Sequence, residues 1–285
     1  MADVSVVVLT RGDRPGPLAE AIASARRQVG VTVEIVLVVN DGEGKVDDSL
    51  ADVVVRPGTN AGIPGGRNLG TEASSGSLVC FLDDDGVLHD DVLARALEAF
   101  DSEPELAVIG LRVVDPDGRT ARRHVPSLRK RSDQSRFTTS FPGGASIIRR
   151  SAFDDAGGLC APFHYGLEET DLAWRLLNNG WSIMYRADLH MTHPRTNPTR
   201  HDQFFATTAR NRIWLAHRSL PFPLAILYVA NWTVITVARN LSRPTAVIAH
   251  LRGCARGVRS LVGPRRPISW RTAGRLIRLG RPPIV

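Results

Sequence analysis

Apolar, β-branched segments alternate with amphipathic helical segments throughout the first 114 residues of this chain. A repeated strand–helix order places successive strands side by side in the same direction, with the connecting helices on both faces of the sheet. The sequence therefore predicts an α/β fold with a Rossmann-like, mostly parallel sheet. The strands are expected at residues 4–9, 33–39, 53–56, 78–82 and 106–114, and the helices at residues 17–28, 64–74 and 90–100.

The pattern continues less regularly in the second part of the chain. Residues 115–137 are polar and basic, which predicts a long loop. Short strands are expected at residues 145–148 and 182–185, and helices at residues 168–179 and 201–217.

Three consecutive aspartates, Asp83, Asp84 and Asp85, follow the apolar strand at residues 78–82. Open α/β sheets bind their ligands at the carboxyl ends of the strands, where these side chains are expected to lie. Neighbouring carboxylates repel one another unless a cation neutralises them, and a divalent metal that carries a diphosphate would do so. The alternative interpretation is a helix N-cap followed by a polar turn, because aspartate is favoured at both.

The cysteines argue against a disulfide framework or a thiolate metal site. Cys80, Cys160 and Cys254 are far apart in the 285-residue sequence and form no CxxC pair, which suits a reducing cytoplasm. The first residues lack a basic, apolar leader pattern, so we expect no signal peptide.

The net charge of +7 is distributed unevenly. Residues 200–285 contain fifteen arginines and a single acid, Asp202, which gives this segment a net charge of +14. A basic segment can bind nucleic acid or an anionic membrane surface. Apolar residues accompany the arginines, which favours a helix lying on anionic headgroups over nucleic-acid binding.

An uncharged segment at residues 219–238 lies within this basic region. Its length of 20 residues could cross a bilayer, although Pro221, Pro223 and Asn231 weaken a spanning helix. A re-entrant or interfacial segment and a buried core helix are the alternatives. We expect a protein on the cytoplasmic side, peripheral at the inner face of the cell membrane.

Four motifs occur in the order in which family 2 glycosyltransferases carry them. They are Asn40-Asp41-Gly42, the glycine-rich segment at residues 60–70, Asp83-Asp84-Asp85 and the acidic segment at residues 168–175. On these motifs the chain resembles that family over about residues 3–195, and it looks most similar to bacterial rhamnosyltransferase and galactofuranosyltransferase-like members. The resemblance implies a GT-A domain at residues 1–199 and leaves residues 200–285 as a helical, basic C-terminal extension.

The resemblance implies a metal site for Mg²⁺ or Mn²⁺ around a DxD motif. Asp85 is then a metal ligand, and Asp83 shares the metal or contacts the ribose. Asp84 either joins the nucleotide site or points back into the fold. His193 falls where the family often adds a histidine ligand, and His190 is the competing candidate.

The nucleotide of a UDP or dTDP sugar is expected to contact the first, second and fourth strand ends. By resemblance, Asp41 hydrogen-bonds the nucleobase, and Thr10 with Arg11 lines the same pocket. Gly65, Arg67 and Asn68 open a helix whose N-terminus favours the diphosphate. An Asp-Gly turn at Asp41 and a loop brace at Arg67 are the alternatives without a ligand.

The resemblance implies inverting transfer with Glu169 as the general base. The family usually has aspartate at this position, so Glu169 departs from the pattern. If Glu169 is too far from the acceptor, Glu168 or Asp171 is the alternative candidate for the base. The acceptor is expected to be a lipid-linked molecule, a glycan or a small molecule. Further substrate contacts are expected from Gly143, Gly144, Glu168, Asp171 and Trp181, although Trp181 is also interpretable as a core residue.

Two other functions fit part of the pattern. A sugar nucleotidyltransferase would share the sheet and the metal-binding acids, but it would need a glycine-rich loop with a lysine directly after the first strand. Residues 9–15 contain no lysine. A membrane-bound scaffold that binds a sugar nucleotide without turnover is the second alternative, because Glu169 departs from the family pattern.

Overall fold

The computed structural model describes residues 2–40, 46–126, 131–195 and 203–284. The strands are β1 (Val4–Thr10), β2 (Val33–Val39), β3 (Val53–Val55), β4 (Leu78–Asp83), β5 (Val87–Leu88), β6 (Leu106–Val114), β7 (Arg136–Phe137), β8 (Ala145–Arg149) and β9 (Ser182–Thr192). The α-helices are α1 (Pro15–Arg26), α2 (Gly62–Glu72), α3 (Val92–Ser102), α4 (Arg150–Asp155), α5 (Glu168–Asn178), α6 (Phe204–Ser219), α7 (Phe222–Arg239), α8 (Pro244–Arg259) and α9 (Trp270–Arg278).

The described strands form one sheet in the order β3-β2-β1-β4-β8-β6-β9-β5, and β7 pairs with β9. Strands β3, β2, β1 and β4 are parallel, as the strand–helix order predicts. The other half is mixed, because β8 runs antiparallel to both β4 and β6. The α/β prediction is confirmed, and the sheet is mixed rather than parallel throughout.

Helices cover both faces of the sheet because successive strand residues point to opposite sides. In β1, Val6 and Val8 pack with α1 and α3 in one buried cluster. Val7 belongs to the other cluster, which contains residues of α4, α5 and the C-terminal helices. Both faces of the sheet are therefore buried, and the carboxyl ends of the parallel strands β1 to β4 lie together at one edge.

Strand β9 is longer than the sequence pattern predicts. It was expected to end at residue 185, but it continues to Thr192. Leu111 of β6 pairs with Arg186 of β9, but the next residue, Arg112, pairs with His190. Residues 187–189 therefore form an irregular insertion in β9 that interrupts the alternation of side chains between the two faces of the sheet. The continuation brings His193 to the edge of the sheet where the aspartates lie.

The C-terminal helices share a core with the α/β domain. Trp214, Leu215 and Tyr228 are buried in the same cluster as Trp174 of α5. The expected boundary between residues 199 and 200 lies outside the described residues. Helix α7 is long and apolar enough to cross a membrane by length and composition alone, and only 6% of its 18 residues are buried.

Candidate active site

A cleft of about 990 Å³ opens at the carboxyl ends of β1 and β4. Its walls come from the loop before β8, the start of α5, the end of β9 and the segment at residues 123–126. Of the residues predicted for the site, the cleft is lined by Thr10, Arg11, Arg67, Asp83, Asp84, Asp85, Gly143, Gly144, Glu168, Glu169 and His193.

Asp83, Asp85 and His193 form a compact group of potential metal ligands. One ligand atom from each residue lies within 4.8 Å of the others. His193 Nε2 lies 3.0 Å from Asp85 Oδ1 and 3.7 Å from Asp83 Oδ2. Two carboxylate oxygens with one imidazole nitrogen suit Mn²⁺ or Mg²⁺, so the residues present fit the implied metal.

The hydrogen bonding of His193 prepares Nε2 to be a ligand. His193 Nδ1 lies 2.6 Å from the carbonyl oxygen of Pro194, which can only accept a hydrogen bond, so Nδ1 carries a proton. Burial alone would lower the pKa of His193, but the hydrogen bond and charge of Asp85, with the charge of Asp83, raise it. Burial would raise the pKa of Asp85, but hydrogen bonds and charge interactions with His193 and Arg14 lower it to about 2.

Asp84 points toward β1 and Arg14. Its Oδ2 accepts a 2.7 Å hydrogen bond from Thr10 Oγ1, and its Oδ1 pairs with the Arg14 guanidinium. Arg14 also pairs with Asp85, so one cation holds two of the three aspartates. Burial nevertheless keeps the pKa of Asp84 above its ordinary value. These contacts favour a supporting role for Asp84, one of the two alternatives left open by the sequence.

Arg67 lies between the ligand group and Glu169. Its Nη2 donates to Asp83 Oδ1 at 3.2 Å, and its Nη1 lies 3.7 Å from Glu169 Oε1. Gly143 and Gly144 form the adjacent wall. A Cβ atom at Gly143 would overlap Glu169 Oε1, and one at Gly144 would overlap the Asp83 carboxylate. A larger residue at either position would therefore have to displace one of these acids.

Glu168 and Glu169 begin α5 and differ in their surroundings. Glu168 is buried, and its Oε2 has no hydrogen-bond partner within the described part of the chain. The Glu169 side chain is 24% exposed in the cleft. Burial raises the pKa of both, and the charge of Glu169 raises the pKa of Glu168 further. Burial and mutual repulsion therefore disfavour two ionised carboxylates at the start of α5.

The family model for "Glycosyl transferase family 2" matches residues 5–157, which is more than half of the chain. The chain belongs to glycosyl transferase family 2. It is 27% identical over 275 residues to a pre-mycofactocin glycosyltransferase of Mycobacterium tuberculosis, covering 88% of this chain and 56% of that protein. It therefore spans about half the length of this relative.

Two further similarities concern part of the chain and its fold. A glucosyl-dolichyl phosphate glucuronosyltransferase of Haloferax volcanii is 30% identical over 122 residues, covering 40% of this chain and 39% of that protein. The crystal structure of GalNAc-T7 with UDP, GalNAc and Mn²⁺ superposes with a TM-score of 0.64 at 14% identity, covering 92% of this chain and 55% of that one. The latter likeness establishes the GT-A fold.

Four residues predicted to contact substrate lie away from the cleft of this family 2 glycosyltransferase. Asn68 exchanges hydrogen bonds with the backbone of Leu159, and Gly65 faces Ala61 and Ala161. Asp171 is fully buried between Arg175, Arg218 and Ser219, and Trp181 donates to Asp155. The placement differs from the expectation because the side chains of Asn68, Asp171 and Trp181 fasten neighbouring elements together, and Gly65 lies at a close contact between α2 and the segment at Ala161. Asp41 lies outside the described residues, and the competing ligand His190 bonds the carbonyl oxygen of Ala187.

Several cleft residues were not predicted from the sequence. Besides Arg14, they include His124, His164 and Arg281. The His124 ring lies 6.3 Å from that of His193, and burial, with the charge of Arg123, lowers the pKa of His124 to about 4. No motif marks these residues, and each reaches the cleft from a different loop. The positive φ angles of His164 and Leu167, 62° and 73°, also appear only in the structure.

Asn211 of α6 fixes the loop that precedes the two glutamates. Its buried side-chain amide lies within 3.0 Å of the carbonyl oxygens of Phe163, Tyr165 and Gly166. These contacts hold the backbone just before Leu167 and Glu168. The C-terminal extension therefore supports the geometry of the cleft directly.

We expect Asn211→Ala to lower the free energy of unfolding by about 1–3 kcal/mol, because it leaves buried carbonyl groups without a donor. Urea denaturation measures this change. The exposed Asn179 bonds Asp155, so Asn179→Ala is a control expected to cost about 0.5 kcal/mol or less. Equal losses in the two variants would contradict the role of Asn211.

Proposed function

We propose that this protein transfers a sugar from a nucleoside diphosphate donor to an acceptor hydroxyl, with metal assistance and inversion at the anomeric carbon. The observation that carries the proposal is the position of Arg67, which contacts Asp83 on one side and faces Glu169 on the other. Ligands for a metal and a candidate base therefore line one cleft, as a displacement reaction requires.

The donor side of the cleft is the group Asp83, Asp85 and His193. These residues would hold Mg²⁺ or Mn²⁺, and the bound cation would neutralise the diphosphate and stabilise it as a leaving group. UDP with Mn²⁺ in the GalNAc-T7 structure supports this assignment by analogy. Thr10 and Arg11 line the same side of the cleft, where the nucleoside of a UDP or dTDP sugar is expected.

The acceptor side of the cleft is the start of α5. Glu169 takes the proton of the acceptor hydroxyl while that oxygen bonds to the anomeric carbon. The bond from this carbon to the diphosphate oxygen breaks on the opposite face, and the nucleoside diphosphate leaves. Because burial raises the pKa of Glu169, this carboxylate is a stronger base than an exposed one.

The acceptor is proposed to be lipid-linked and the protein to be peripheral at the inner face of the cell membrane. Helices α7 and α8 expose large apolar side chains, among them Phe222, Val234, Ile248, Leu251 and Val258. Arginines interrupt this surface, which gives it the charge that anionic headgroups attract. The Haloferax relative acts, by its name, on glucosyl-dolichyl phosphate, a lipid-linked sugar.

We expect the protein to sediment with vesicles that contain phosphatidylglycerol and to do so less with phosphatidylcholine alone. Val234→Ser should weaken the binding about tenfold, because a valine removed from the interface forfeits its apolar burial. Val29 is similarly exposed but lies on the α/β domain, so Val29→Ser is the matched control. Equal partitioning of both variants and the wild type would contradict membrane contact through α7.

Release of nucleoside diphosphate from a panel of nucleotide sugars tests the function. UDP-, dTDP- and GDP-sugars are supplied with Mn²⁺ or with EDTA, together with membrane lipid extract as acceptor. The proposal expects release from one donor class, accelerated by the extract and stopped by EDTA. Absence of release from every donor with Mn²⁺ would contradict it.

A further inference from the structure

A second, smaller cavity of about 50 Å³ lies beside the cleft, between the start of α5 and the C-terminal extension. Ser140, Thr170 and Arg281 line both spaces, so the cavity adjoins the acceptor side near Glu169. A single water needs about 10–15 Å³ by this measure, so the cavity holds roughly four water-sized groups, comparable to the four oxygens of a phosphate.

Two arginines and the indole of Trp232, which can only donate hydrogen bonds, lie among the lining residues of this cavity. Arg212 of α6 donates to Tyr228 Oη at 3.0 Å, and its guanidinium lies 3.5 Å from the ring centre of Trp232. Arg281 donates to Ser140 Oγ at 3.0 Å. The buried Nε1 of Trp232 has no hydrogen-bond partner among the residues that the structure describes.

Acidic partners for the two arginines are also absent from the described part of the chain. The described neighbours that shift the pKa of Arg212 and of Arg281 include no carboxylate. Burial lowers the pKa of Arg281, and the neighbouring charge of Arg212 lowers it further. Two partly buried like charges beside a buried N–H group without a described partner are costly unless an anion completes the site.

We propose that Arg212, Arg281 and Trp232 Nε1 bind a phosphate group of the acceptor and so place its hydroxyl next to Glu169. The proposal rests on the transferase function and names its acceptor class. Guanidinium groups bind phosphate through paired, charge-assisted hydrogen bonds. Tyr228 and Trp232 belong to α7, and the same helix exposes Phe222 and Val234, so an apolar surface lies near the cavity for a lipid attached to the phosphate.

Calorimetric titration of inorganic phosphate into the protein tests the site. The titration is carried out in EDTA, because the aspartates of the cleft then hold no cation and repel phosphate. Arg281→Gln should weaken phosphate binding about tenfold or more, because charge-assisted hydrogen bonds are lost. Arg278 is exposed on α9, so Arg278→Gln makes the same charge change as a control and should stay within about twofold of wild type. Equal affinities in the two variants, or no binding by wild type, would overturn the proposal.

Trp232→Phe is a second variant that keeps the aromatic wall and removes the unpaired N–H. It should weaken phosphate binding several-fold without loss of folded protein, and unchanged affinity would overturn the role of Nε1. Nucleotide binding with Mn²⁺, measured on the same variants, should be unchanged. If the wild type binds phosphate but no nucleotide, the transferase function fails while the anion site stands. If it binds a nucleotide but no phosphate, the anion site is overturned.

Competition against phosphate identifies the source of the group. A prenyl phosphate in neutral vesicles and glucose 1-phosphate in solution are the two competitors. Displacement by the prenyl phosphate alone assigns a lipid acceptor, and displacement by glucose 1-phosphate alone assigns a soluble one. Displacement by both supports a general phosphate monoester site, and displacement by neither overturns the acceptor assignment.

Discussion

Glu169→Gln should lower kcat about 10²- to 10⁴-fold, the contribution that a positioned general base commonly makes. The amide keeps the size of the side chain and one acceptor oxygen but cannot take the proton of the acceptor hydroxyl. Glu169 lies outside the ligand group Asp83, Asp85 and His193, so binding of the donor nucleotide should be nearly unchanged. Steady-state kinetics and calorimetry on the same preparation measure the two effects.

The exposed Glu72 at the end of α2 provides the control, and Glu72→Gln should turn over like the wild type. Wild-type kcat/KM should fall as the pH drops through the raised pKa of Glu169, at a higher pH than an ordinary glutamate would give. Unchanged turnover in Glu169→Gln would remove Glu169 as the base. Absence of turnover in the wild type, with donor binding intact, would instead support a non-catalytic scaffold.

Asp85→Asn should weaken Mn²⁺ binding by about 100-fold or more. Removing a residue that only hydrogen-bonds a metal ligand commonly lowers metal affinity 10- to 100-fold, and Asp85 is proposed to be a ligand itself. Asp85 supplies a buried carboxylate oxygen 3.0 Å from His193 Nε2, and the neutral amide is a much poorer ligand. Turnover should fall with metal affinity and recover in part at high Mn²⁺. Electron paramagnetic resonance of free Mn²⁺ measures the binding.

Asp90→Asn is the matched control for this substitution, because Asp90 is an exposed acid shortly after the same strand. It should bind Mn²⁺ like the wild type. Thermal unfolding measures whether release of Arg14 from its pair with Asp85 changes the stability of the protein. Equal Mn²⁺ affinity in Asp85→Asn and the wild type would contradict the ligand assignment.

The sequence predicts the parts of this molecule that depend on neighbouring residues. Apolar runs locate β1, β2, β4 and β6 closely, because a buried strand needs such a run. The position of Asp83 to Asp85 at the sheet edge follows from the end of β4. Long-range contacts do not follow in this way: Arg14 meets Asp85 across 71 positions, and Arg281 meets Ser140 across 141.

A motif also leaves the direction of each side chain undetermined. Arg67 and Asn68 are adjacent in the glycine-rich segment, yet Arg67 faces Asp83 in the cleft and Asn68 bonds Leu159 behind the helix. Similarly, Glu169 faces the cleft while Asp171, two positions later, is buried with Arg175. Helical geometry sends such neighbours to different faces, and tertiary packing decides which face meets the ligand.

Titration of UDP, dTDP and GDP into the wild-type protein by calorimetry, with Mn²⁺ and with EDTA, tests the central claim most directly. We expect one nucleotide class to bind with Mn²⁺ and to bind about 100-fold more weakly in EDTA, since the aspartates then repel the diphosphate. Failure of all three nucleotides to bind with Mn²⁺, or equal binding in EDTA, would contradict a metal-assisted donor site at Asp83, Asp85 and His193.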